Sequence, residues 1–95
     1  MARMSKQMKD ALQELERRGA TILEAPRNLS EARIILRYLG PRRVGGHYIG
    51  GYWRQAYTVT QITVNGYRWT ITVTDRDGTR SHSTAWDYRR DKELQ

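Results

Sequence analysis

The chain has 95 residues, enough for one domain with a thin core. Hydrophobic residues make up 38% and charged residues 28%; there are three Trp and six Tyr, but no Phe and no Cys. The missing cysteines exclude a disulfide framework, a thiolate-held metal and a Cys nucleophile, and no apolar run approaches the roughly 20 residues of a membrane span.

Seventeen basic residues face ten acidic ones, a net charge of +7, and fourteen of the basic residues are Arg. A small domain this basic points to a polyanion, and Arg forks onto phosphate and guanine where Lys is only a point charge. Codon bias in a GC-rich genome accounts for Arg in place of Lys, but not for the net charge. The charge is uneven: residues 1–43 hold ten basic against five acidic side chains, residues 44–95 seven against five. Texture changes at the same place, from helical periodicity to Gly, Thr, Tyr and Trp with period-2 alternation. The pattern predicts a single α+β domain: two N-terminal helices, then a curled antiparallel meander of four or five short strands, close by analogy to a small SH3-like barrel. The last residues, 91–95, read as a frayed tail. The first ten residues lack the apolar stretch of a signal peptide, so the expected location is the cytoplasm.

In chain order, the first helix is predicted from Ser5 to Arg18, with Ser5 as N-cap and Gly19 as the C′ stop. Met4, Met8, Ala11, Leu12 and Leu15 form its apolar stripe, and Glu14 reaches Arg18 at i,i+4. Ala20 to Glu24 is β-prone, an edge strand or extended loop. The second helix starts at Asn28, whose N-x-x-E spacing to Glu31 has the form of a capping box, and ends near Leu39 before Gly40-Pro41. Leu29, Ala32, Leu36 and Leu39 make one apolar stripe; Ile34 and Tyr38 make a second, so the helix is expected to be sandwiched, either inside the domain or at a homodimer contact. Eight or nine residues separate the helices, too many for a helix-turn-helix.

Val44 to Trp53 predicts one or two short Gly-interrupted strands. Tyr57 to Val64 and Tyr67 to Thr74 form a hairpin across Asn65-Gly66, with Tyr67, Trp69, Ile71 and Val73 inward. Val64 is expected opposite Tyr67 and Ile62 opposite Trp69, and one bulge near Gln61 restores the alternation farther along. After Asp75-Arg76-Asp77-Gly78, a G1 bulge pairs Asp75 with Thr79. It turns Ser81, Ser83 and Ala85 inward and Arg80, His82, Thr84 and Trp86 outward; a plain loop reverses these faces.

Two constellations carry the functional expectation. Arg27, Arg33, Arg37, Arg42 and Arg43 form a basic run on and after the second helix, against one local acid, Glu31; such a run suits phosphate contacts. Arg68, Arg80, His82 and Trp86 on the open sheet face suit bases. Together they describe a nucleic-acid-binding regulatory or accessory factor, with DNA favoured over RNA as partner. No metal or other cofactor is expected: two histidines do not close a metal site, and Asp75-x-Asp-Gly lacks the remaining positions of an EF-hand loop. Binding is favoured over catalysis, since no paired carboxylates sit on opposed strands. One alternative is a metal-independent ribonuclease-type toxin built on His82, Tyr88, Arg80 and Arg68. A further alternative is a mobile-element inhibitor with a protein partner, a host nucleic-acid-processing machine.

Overall fold

The computed structural model describes residues 5–51, 54–83 and 88–94. Helix α1 spans Lys6–Arg17. Ser5 caps it, its hydroxyl accepting the Met8 N–H at 3.1 Å, and Gly19 follows with φ +83°. Met8, Ala11 and Leu15 are buried along one stripe. On the outer side Arg18 donates to Glu14 at 2.8 Å, and that hydrogen bond holds the Glu14 carboxyl below its ordinary range. Met4 of the predicted stripe lies outside the described residues.

Strand β1, Ala20–Glu24, leads to helix α2, Leu29–Leu39. The Asn28 side chain accepts the Glu31 N–H at 2.9 Å, but the capping box is displaced by one residue, because the Glu31 carboxylate reaches the N–H of Arg27. Ala32, Ile35 and Leu39 bury the inner face of α2. Gly40 ends the helix with φ +59°, and a Cβ there would lie 2.7 Å from the Tyr88 ring, so both backbone and space demand glycine. Of the second apolar stripe, Ile34 is exposed, while Tyr38 packs partly against the core.

The remaining strands are β2 (His47–Ile49), β3 (Ala56–Asn65), β4 (Arg68–Asp75), β5 (Gly78–Ser83) and β6 (Lys92–Glu93), with a 3-10 turn at Tyr88–Arg90. They form a six-stranded sheet of order β5-β4-β3-β2-β6, antiparallel except that β1 lies parallel to β3. The α+β class and the helices-first order are as the sequence predicts. The closed SH3-like barrel is not: the sheet is open, because the second edge of the long strand β3 is divided. There β2 takes residues 56–58 and β1 takes residues 62–65. The predicted frayed tail is likewise corrected, since β6 pairs with β2 and Asp91 is buried.

The hydrophobic core lies between the helices and one face of the sheet, with Tyr57, Val59, Ile62 and Val64 from β3 and Trp69, Ile71 and Val73 from β4. The predicted bulge is present: the β3–β4 register shifts between Val59 and Gln61. The hairpin partners move by two residues, however. Val64 faces Trp69 and Asn65 faces Arg68, so Gly66-Tyr67 is the turn and Tyr67 is 56% exposed rather than inward. Gly66 has φ +66° and Tyr67 is not in the left-handed region, the pattern of a type II′ turn, which wants glycine at its first central position.

The β4–β5 register also departs from the expected one. Asp75 pairs with Gly78, Thr74 with Thr79 and Val73 with Arg80. The Asp75 carboxylate accepts the Asp77 N–H at 2.8 Å, an Asx turn that closes the loop at two residues without a bulged one. The one-residue difference places Arg80 rather than Ser81 opposite Val73, the other parity from the predicted one. Ala85, Thr84 and Trp86 of that prediction, like Tyr52 and Trp53, lie outside the described residues.

Candidate nucleic-acid interface

The outward face of α2 is set by helical spacing. Positions 29, 33 and 37 recur at i,i+4,i+8, with 30 and 34 beside them. Leu29, Ser30, Arg33, Ile34 and Arg37 line one shallow groove of about 460 Å³. The inner face of the same helix is sealed, Ala32 and Leu39 at 0% and Ile35 at 1% exposure, so a rigid element presents the groove.

Electrostatics sharpen this face. Glu31, the only carboxylate of α2, is already engaged: its two oxygens accept from the backbone N–H and the Nη2 of Arg27, each at 3.1 Å. Among the described residues no carboxylate pairs with Arg33, Arg37 or Arg43, and all three are exposed. The Arg37 guanidinium rests 5.9 Å from the Tyr38 ring, which steadies it without neutralising it. Of the five predicted phosphate contacts, then, Arg33, Arg37 and Arg43 stand available, and Arg27 is partly neutralised.

Arg42 is a correction. Its residue is 0% exposed. Nε donates to Leu39 O at 3.0 Å and Nη2 to Tyr38 O at 2.8 Å, so the side chain satisfies carbonyls at the C-terminal end of α2 that have no helical partner. The guanidinium lies 5.6 Å from the Tyr88 ring and 5.9 Å from the Trp69 ring. Its charge also acts on the Tyr57 hydroxyl, which donates to Asp91 Oδ2 at 2.5 Å. The other Asp91 oxygen accepts the Gly51 N–H at 3.0 Å. Burial, with the Asp91 carboxylate beside it, pushes the Tyr57 hydroxyl far above the ordinary tyrosine value, and the Arg42 charge opposes that only in part. Arg42, Tyr57 and Asp91 form a structural cluster and leave no side chain for phosphate. The signal in the sequence is an Arg just beyond a helix C-terminus, where a cation meets exposed carbonyls.

The predicted base-reading face is not assembled among the described residues. Arg68 is exposed opposite Asn65, its guanidinium 5.4 Å from the Tyr67 ring. Arg80 takes a register position opposite Val73, on the other parity, and lies 3.4 Å from Asp77 Oδ2. The His82 backbone pairs with Ile71, and Trp86 lies outside the described residues. Of the alternative ribonuclease constellation, Tyr88 sits edge-on to Tyr48 at 5.8 Å, in the Arg42 cluster, and the His82 side chain lies outside the described residues. The Tyr88 hydroxyl is held above the ordinary tyrosine range, chiefly by burial. The open face instead carries hydroxyls in cross-strand rows, such as Thr58–Thr74–Thr79. A second groove of about 480 Å³ lies at one end of it, lined by His47, Ala56, Tyr57, Thr58, Thr74, Asp75 and Leu94. Among the described residues its lining includes no Arg or Lys to meet a phosphate. Among the described residues no group of three His, Asp or Glu could hold a metal ion, and no helix is long and apolar enough to cross a membrane.

Sequence reasoning missed two parts of the α2 groove. The apolar stripes of the sequence give Leu29 to the core and Ile34 to an intradomain or dimer contact; the groove places both beside the arginines. Comparison with known protein families, curated proteins and solved structures finds no match for the chain.

Proposed function

We propose that the protein is a small nucleic-acid-binding module, regulatory or accessory rather than catalytic, and that α2 carries its phosphate contacts. The observation behind this reading is the outward face of α2: Arg33 and Arg37 one turn apart, Arg43 beyond the helix end, and no carboxylate paired to any of the three among the described residues. An unneutralised row of Arg on a rigid helix gains most from a polyanion, through counterion release. DNA is favoured over RNA because an exposed α-helix fits the major groove of B-form DNA, whereas the RNA major groove is too narrow and deep.

The test is a salt-dependent titration against duplex DNA, single-stranded DNA and RNA of equal length. Replacing Arg33 and Arg37 together by Ala lowers the magnitude of the log–log salt slope by about 1–2, each phosphate contact contributing roughly 0.9. An unchanged slope and affinity removes α2 as the phosphate-binding element. No measurable affinity for any of the three at low salt overturns the reading and leaves a protein-directed role.

A further inference from the structure

Phosphate binding explains the arginines of α2 but not the apolar side chains between them. Ile34 is 43% exposed and, with Leu29, lines the same groove as Arg33 and Arg37. A helix that met only phosphates would have no use for an exposed branched aliphatic at the centre of its basic face. Ser30 adds a hydroxyl that both donates and accepts. The groove therefore asks for a ligand that is strongly anionic and also displays small apolar groups within reach of a helix.

From this combination we infer that α2 enters the major groove of duplex DNA and that Ile34 packs against the 5-methyl groups of thymines, with Arg33 and Arg37 on the flanking phosphates or guanine edges. The inference rests on the nucleic-acid reading above and adds to it a class of sequence and the residue that reads it. The chemistry is specific: in the B-DNA major groove the thymine methyl is the one apolar group on a base edge. RNA has uracil in its place and presents no such methyl. The dimensions agree. An α-helix with its side chains is about 10–12 Å across, and the groove is about 12 Å wide. The helix is anchored through Ala32, Ile35 and Leu39 on the side away from Ile34, so no rearrangement is needed to present the reading face.

The test compares duplexes of one A·T-containing sequence in which every thymine is either kept or replaced by uracil. Backbone charge is identical, so a difference reports the methyl groups. The intact protein is expected to bind the thymine duplex more tightly by about fourfold for each methyl contacted, the value of one buried carbon group, with the same salt slope on both. Ile34→Ala lies on an exposed position and leaves the core intact; it is expected to weaken binding to the thymine duplex and to be indifferent to the exchange. Equal affinity of the intact protein for the two duplexes overturns the inference, while binding itself, with its salt slope, leaves the phosphate reading standing. Tighter binding to RNA of the same sequence likewise overturns the inference. Loss of all nucleic-acid binding overturns both, and an acidic amphipathic peptide captured through Ile34 in its place would mark the groove as a protein site.

Discussion

Arg42→Ala lowers the stability of the fold by about 3–5 kcal/mol, the usual cost of removing one member of a buried ionic cluster. The side chain fills fully buried space, ties two carbonyls at the end of α2, and lies against Trp69, Tyr88 and the Tyr57 hydroxyl. Its loss takes the Arg42 charge away from the buried Tyr57–Asp91 hydrogen bond. For a domain whose total stability is of order 5–15 kcal/mol, that approaches a large share of the whole. Chemical denaturation measures it; a variant that unfolds at the parent's midpoint removes the cluster from any account of the fold. Asp91→Ala is expected to cost a comparable amount, and the double variant less than the sum, because both residues act on Tyr57.

The same cluster sets an alkaline limit. In the folded protein the Tyr57 hydroxyl is held well above the ordinary 10.0, by burial first and then by the Asp91 carboxylate. Below the ordinary value the group is neutral in both states and does not alter the balance. As pH rises through 10.0 the unfolded chain releases this proton and the folded one does not, so stability falls. Tyr57→Phe is expected to flatten that alkaline decline in denaturation curves, at the cost of lower stability near neutral pH where the hydrogen bond to Asp91 is lost.

Trp69→Ala is the second large effect, about 3–5 kcal/mol for truncating a buried Trp. Trp69 is 3% exposed, faces Val64 across the hairpin and sits under the Arg42 guanidinium. Tyr67→Ala provides the control. Both residues belong to one run of alternating aromatics and aliphatics, but Tyr67 occupies the turn, so its truncation is expected to move stability little. Equal thermal shifts for the two variants would contradict the hairpin register described above.

The contrast between these two residues shows what the sequence holds and what it does not. Period-2 alternation identified the inner faces of β3 and β4 and the bulge between them, because a face is a local property of the chain. The alternation does not say where the turn begins; the positive φ at Gly66 decides that, and it carries Tyr67 out of the strand. The β4–β5 register hinged on one residue, and the Asx turn at Asp75 decided it. The helix caps at Ser5, Asn28 and Gly40 were legible because each is a short-range hydrogen bond or backbone preference. The parallel docking of β1 on β3 and the tethering of Asp91 were not, since both depend on partners more than thirty residues away. At the candidate site, Arg33 and Arg37 were visible from their i,i+4 spacing. Arg42 has the same charge and no periodicity to distinguish it; only its position past a helix end separates a capping Arg from a surface one.

Thr60 divides β3 into two segments of opposite phase. Before it, the odd positions 57 and 59 point to the core; after it, the even positions 62 and 64 do. On one edge β4 runs past this change of phase and absorbs it, with the Thr60 hydroxyl bonded to the Thr72 carbonyl at 3.2 Å. On the other edge no single strand has to: β2 pairs only with the segment before Thr60, β1 only with the segment after it. Each neighbour therefore meets a regular strand. Deleting Thr60 would bring Tyr57, Val59, Ile62 and Val64 into one unbroken alternation, all still on the core face, and would remove the bulge rather than flip a segment. The exposed, threonine-rich middle of β3 is therefore the place in the strand where losing one residue costs the sheet its bend rather than its core.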